Sequence, residues 1–92
     1  VFASARKTTD VAQLQALGLT AIQLDLDSSS SIKSAVQQVF DMTNQQLFAL
    51  FNNAGFGQPG AVEDLSREAI RQQFETNLFG NLELTNAVLP IM

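Results

Sequence analysis

The chain has 92 residues, room for one small domain, and 46% of them are apolar, which is enough for a core and too many for disorder. The net charge is −4 with only five Lys and Arg, a poor match to a phosphate backbone, so nucleic acid is excluded as a partner. Cys, His, Tyr and Trp are all absent, which removes disulfides, thiolate and imidazole zinc sites, and every His-dependent triad.

Val1–Ala5 is expected to form a short strand. Thr9 or Asp10 then caps a helix that runs through Leu17, with Val11, Leu14 and Leu17 on one face. Gly18 sits where that helix should stop, because a left-handed residue costs glycine little. Thr20–Leu26 alternates, with Ile22, Leu24 and Leu26 on one side and Gln23 and Asp25 on the other, the period of a strand. Asp27 and Ser28–Ser31 offer caps for the next helix. In it Ile32, Ala35, Val36, Val39 and Phe40 recur on one amphipathic face. Thr43–Gln46 is a polar turn, and the unbroken apolar run Leu47–Phe51 has the character of a parallel strand covered on both faces.

Gly55–Asp64 holds Gly57, Pro59 and Gly60 and is expected to be a loop. Ser66 caps a long helix through Val88 or Leu89, Glu68 suits its positive end, and Pro90 ends it. Strand and helix alternate throughout, which predicts an α/β fold with an open parallel sheet and one domain over 1–92. No apolar run reaches the roughly 18 residues of a membrane span, and no leader precedes a cleavage site, so a soluble cytoplasmic chain is the expectation.

Ligands of such sheets bind at the carboxyl ends of the strands. Those positions hold Arg6, Asp25-Leu26 and Asn52-Asn53-Ala54-Gly55. On the residues alone, the last of these is either a ligand-facing turn or merely a turn that Asn and Gly make easily. Arg6 is either an anion contact or a solvated cation. Asp25 is either a ligand acceptor or a turn carboxylate that bonds nearby backbone N–H groups. Asn77 lies three positions after Phe74, on what should be the apolar side of the last helix, where a buried amide needs partners. Gly80 is mid-helix at a cost of about 1 kcal/mol against Ala, which close approach of another helix would explain.

Taken together, Ala5-Arg6, Asp25-Leu26-Asp27, Asn52-Asn53-Ala54-Gly55, Thr76-Asn77-Leu78-Phe79-Gly80 and Leu89-Pro90 resemble the short-chain dehydrogenase/reductase family over the whole chain. These are Rossmann-fold oxidoreductases that use NAD(H) or NADP(H). The resemblance implies a partial Rossmann-type, doubly wound parallel sheet with three strands and three helices present. It implies that Asn52, Ala54 and Gly55 line the cofactor site, that Asp25 meets the adenine amino group and that Leu26 contacts the adenine region. Arg6 follows the position where an NAD-specific member carries an acid, so NADP(H) is favoured, with NAD(H) the alternative. Asp27 is expected to cap the next helix. Asn77 is the candidate for catalysis, since the matching Asn of the family belongs to an Asn-Ser-Tyr-Lys tetrad and holds a water of the proton relay. A core Asn bonded to neighbouring backbone is its rival reading. Relatives pair the Gly80 helix across a dimer interface, which implies a homo-oligomer.

The family chemistry moves a hydride between the nicotinamide and an alcohol or carbonyl carbon, with a Tyr and a Lys exchanging the proton. This chain has no Tyr, and Lys7 and Lys33 lie in the wrong elements. The resemblance therefore places the Tyr-x-x-x-Lys helix and the catalytic Ser after Met92, and the glycine-rich phosphate turn with the first strand before Val1. In a sheet ordered 3-2-1-4 that strand stands between Val1–Ala5 and Leu47–Phe51, so a gap or a non-native pairing is expected there. The expected function is that of an NADP(H)-preferring oxidoreductase acting on a small alcohol or carbonyl substrate. Phe56-Gly57 and Phe79-Gly80 are similar to hydroxysteroid- and retinol-type members, which hints at a hydrophobic one. The segment alone is expected to be inactive. A non-catalytic dinucleotide-binding module and a purely structural α/β domain stay open as alternatives.

Overall fold

A computed structural model describes residues 1–92. Strand β1 (Phe2–Ala5) and strand β2 (Thr20–Gln23) pair in parallel, from Phe2 opposite Thr20 to Ala5 opposite Gln23. Helix α1 (Thr8–Ala16) makes the crossover between them. Lys7 stands at its N-cap without a side-chain bond, so Thr9 and Asp10 fall inside the first turn and neither caps it. Its end is as expected. Gly18 is left-handed with φ 86°, Gly18 N–H donates to Gln15 O at 2.9 Å, and Leu19 N–H donates to Leu14 O at 3.2 Å. That pair of bonds satisfies carbonyls the helix would otherwise orphan.

β2 stops at Gln23 rather than Leu26, because one further bond, Leu24 N–H to Ala5 O at 2.9 Å, exhausts the partner strand. The alternation nevertheless persists, with Ile22 and Leu26 buried, Leu24 half-buried and Gln23 exposed. Helix α2 (Ser29–Thr43) is capped by Ser28 Oγ, which accepts from Ser31 N–H at 3.2 Å. It buries Ile32, Ala35 and Val36. Asn44 and Gln45, both left-handed, turn the chain out of it.

Leu47–Phe51 does not form the third strand. Phe48–Phe51 make no backbone–backbone hydrogen bond, and Phe48 and Phe51 are almost fully exposed. A strand exists only through its neighbours, and here none is in reach. Between β1 and this segment lies an apolar cleft of about 950 Å³, bordered by Phe2, Leu24, Leu47, Leu50, Leu84 and Val88. The sheet thus has two paired strands and the expected gap.

The last long helix is two helices joined by a widened turn. Helix α3 (Arg67–Phe74) starts at Ser66, whose Oγ accepts from Ala69 N–H at 3.1 Å. A π-helical turn over Glu75–Gly80 follows, then helix α4 (Asn81–Val88), and a 3₁₀ turn containing Pro90 ends the run. α4 and α2 close the core with Leu26, Ile32, Val36, Leu84 and Val88.

The close approach at Gly80 is to the turn that follows β2, not to another helix. A Cβ there would lie 2.2 Å from Leu26 O and 2.6 Å from Leu26 Cβ. Helix propensity favours Gly80→Ala by about 1 kcal/mol, whereas overpacking against backbone opposes it by about 1–3 kcal/mol. The expected result is net destabilisation, read by urea unfolding of a cooperatively folding polypeptide that carries the chain; a stabilised variant would show that Leu26 yields freely.

Candidate functional site

The carboxyl ends of the two strands lie side by side. Arg6 follows β1 directly and is exposed, and its backbone carbonyl accepts from Gln23 Nε2 at 3.1 Å. Asp25 is half-buried at the end of the β2 segment. Its Oδ1 accepts from Asp27 N–H at 3.0 Å, the turn bond that a carboxylate makes locally, and its own N–H donates to Ser31 Oγ at 2.9 Å. Leu26 is buried beneath Gly80.

Asp27 does not cap α2, since Ser28 does. Its carboxylate instead accepts from Gln72 Nε2 and Thr76 Oγ1, so it ties the β2 end to α3 and the π turn. A charged acceptor holding two side-chain donors outcompetes a cap bond at this position.

The Asn52–Gly55 turn leans on the same long helix. Asn52 Nδ2 donates to Thr85 Oγ1 at 3.1 Å. Ala54 O accepts from Asn81 Nδ2 at 3.3 Å. Asn77 grips the next residue at both ends: Phe56 N–H donates to its Oδ1 at 3.0 Å, and its Nδ2 donates to Phe56 O at 2.8 Å. Gly55 permits this grip, because a Cβ there would stand 2.9 Å from Asn77 Oδ1.

Asn77 is exposed, and so is Phe74, so the Phe74 side of the helix is not the buried one. The amide is spent on backbone. One hydrogen goes to Phe56 O and the other to Gln73 Oε1 at 3.2 Å, which leaves one lone pair on Oδ1. Asn81 is a residue that the motifs did not single out. Its place four residues after Asn77, on the same helix face, is the signal that would have found it. The helix therefore joins the end of β2 to the turn after Phe51, through Gly80 on Leu26 and through Asn77, Asn81 and Thr85 on residues 52–56. Arg6 joins the group through the β1–β2 pairing alone. Arg6 and Asp25 thus stand just past β1 and β2, and the small-residue backbone of 52–55 is tied to that end of the sheet through the helix.

A family profile described as short chain dehydrogenase matches residues 1–92. The uncharacterized oxidoreductase YbbO of Escherichia coli K12 is 41% identical over 92 residues, which is 100% of this chain and 34% of that protein. Human retinol dehydrogenase 8 is 40% identical over 89 residues, covering 95% of this chain and 27% of that one. Among solved structures, a short-chain dehydrogenase from Streptomyces avermitilis superposes with a TM-score of 0.86 at 33% identity over 98% of this chain and 34% of its own. An NADPH-bound carbonyl reductase from chicken fatty liver gives 0.88 at 27% identity, over 99% of this chain and 39% of its own. The chain spans about a third of the length of the relatives it matches, and none of its helices is long and apolar enough to cross a membrane. Profile, sequence relatives and superposed structures agree over the full run of residues, and the chain belongs to the short-chain dehydrogenase family.

Proposed function

We propose that residues 1–92 form part of one dinucleotide-binding domain in a longer oxidoreductase that prefers NADP(H) and interconverts an alcohol and a carbonyl on a hydrophobic substrate. The observation that carries this reading is the helical run from α3 to α4, which holds Leu26 under Gly80 and the Ala54–Gly55 backbone against Asn77 and Asn81. Two named relatives support it: the carbonyl reductase with NADPH bound, and the retinol dehydrogenase.

The residues fit a phosphate-bearing dinucleotide. Arg6 presents an exposed guanidinium for a 2′-phosphate. Asp25 spends one oxygen on Asp27 N–H and offers the other to an amino group. Leu26, its side chain in the core, borders the adenine region by its backbone, and Ala54 and Gly55 let a ligand lie close to backbone. Asn52 anchors the start of that turn through Thr85. The cofactor, when bound, supplies or accepts the hydride. Asn77 holds the turn through Phe56 and keeps an Oδ1 lone pair free for the water of a proton relay. The group that exchanges the proton comes from outside these residues, because the chain has no Tyr. The cytoplasm is the compartment we assign.

Two surfaces call for further polypeptide. A strand from the rest of the protein fills the cleft between β1 and Leu47–Phe51. A second copy covers Ile70, Phe74, Leu78 and Leu82, a run of exposed apolar residues spaced by four on the outer side of the helix.

In the longer protein, Arg6→Ala is expected to weaken NADPH about 10- to 100-fold, the worth of a charge-assisted contact, while leaving NADH nearly unchanged. Titration with both dinucleotides reads the difference, and equal losses would remove Arg6 from phosphate recognition. Leu82→Glu should convert the oligomer to monomers in sedimentation velocity; an unmoved boundary would place the interface elsewhere. The isolated 92-residue chain, with eight buried residues, should bind an apolar-surface dye and lose its ellipticity on heating without a sigmoid. A cooperative melt of that chain would mean that the cleft needs no strand.

A further inference from the structure

Residues 52–56 have no backbone partner, yet they are held along the last helix at regular intervals. Asn52 meets Thr85, Ala54 meets Asn81 and Phe56 meets Asn77. Every second residue of one segment is paired with every fourth residue of the other, in opposite order. Side chains set four residues apart along the helix thus give this segment the polar partners that a neighbouring strand would otherwise supply.

The middle rung has a further feature. Asn81 Nδ2 also lies 3.2 Å from Thr76 O and 3.2 Å from Asn77 O, carbonyls of the π turn. One amide group thus ties Ala54 to the widened part of the helix. Its Oδ1 is buried with no partner among the chain's own atoms, so the polar work of this side chain is done by Nδ2. What Asn81 supplies is the position of Ala54.

We propose that Asn81 is a positioning residue for the cofactor-facing turn: it fixes the Ala54–Gly55 backbone where a phosphate-bearing dinucleotide meets it, without touching the ligand. The inference rests on the dinucleotide reading above for its ligand, and on the hydrogen bonds alone for its effect on the turn.

The test uses the longer protein with Asn81→Leu and Asn81→Asp. The first removes both amide functions, and the second keeps the size and removes the donor, so a folding failure in one leaves the other. Hydrogen exchange of the Phe56 amide, the one N–H of the segment that has a partner, should accelerate at least tenfold in both variants relative to the β1 and β2 amides. KM for NADPH should rise about tenfold while kcat at saturating dinucleotide falls less than threefold. A residue that only stabilised the fold would speed exchange everywhere and leave KM in place. Unchanged exchange in the turn overturns the proposal. Faster exchange with unchanged KM overturns its link to the cofactor. If the unmodified protein binds neither NADPH nor NADH, the dinucleotide reading fails, and with it the assigned ligand, while the exchange result still decides whether Asn81 sets the turn.

Discussion

Leu26 O comes within 2.2 Å of where a side chain at position 80 would begin. Only glycine lets the helix axis pass so close to the turn after β2, and the consequences spread in both directions from that contact. Toward the N-terminus, the contact draws Thr76 and Gln72 down onto Asp27. Toward the C-terminus, it sets α4 at the depth where Leu84 and Val88 meet Ile32 and Val36 of α2. The same seating brings Asn77, Asn81 and Thr85 level with residues 52–56. Move the helix outward by the width of a methyl group, and the core seam and the turn lose their register together.

The widened turn between α3 and α4 makes this double duty possible. A regular helix keeps one side toward one surface over its whole length. The π turn over Glu75–Gly80 frees carbonyls that Asn81 then reaches with its side chain. Such turns are frequent at functional sites, where an irregular ladder offers polar groups to something other than the helix itself. Here the beneficiary is the Asn-Asn-Ala-Gly turn.

Local features of the fold were plain in the residues, because short-range physics decides them. The Schellman stop at Gly18, the Ser66 cap and the buried face of α2 all follow from side chains within a few positions. What depended on distant partners was not legible. Leu47–Phe51 has the composition of a central strand but no neighbour to bond. Asp27 stands where a cap would, yet its partners are more than 40 residues away. Gly80 announced a close approach without naming Leu26 as the other party. Of the site, the turn and Asn77 were visible as motifs. Asn81 was not, since nothing in its immediate sequence shows that a carbonyl 27 residues earlier lies within reach.

The helix also sets how far the turn is held. Hydrogen bonds of 2.8–3.3 Å span the three rungs from Asn52 to Phe56. A fourth rung would pair Gln58 with Gln73. It does not form: Gln73 turns its Oε1 to Asn77 along its own helix, and its Nε2 is left buried without an acceptor. The run of rungs therefore ends where a helix side chain turns back on its own helix, and Gln58 receives no hydrogen bond from it.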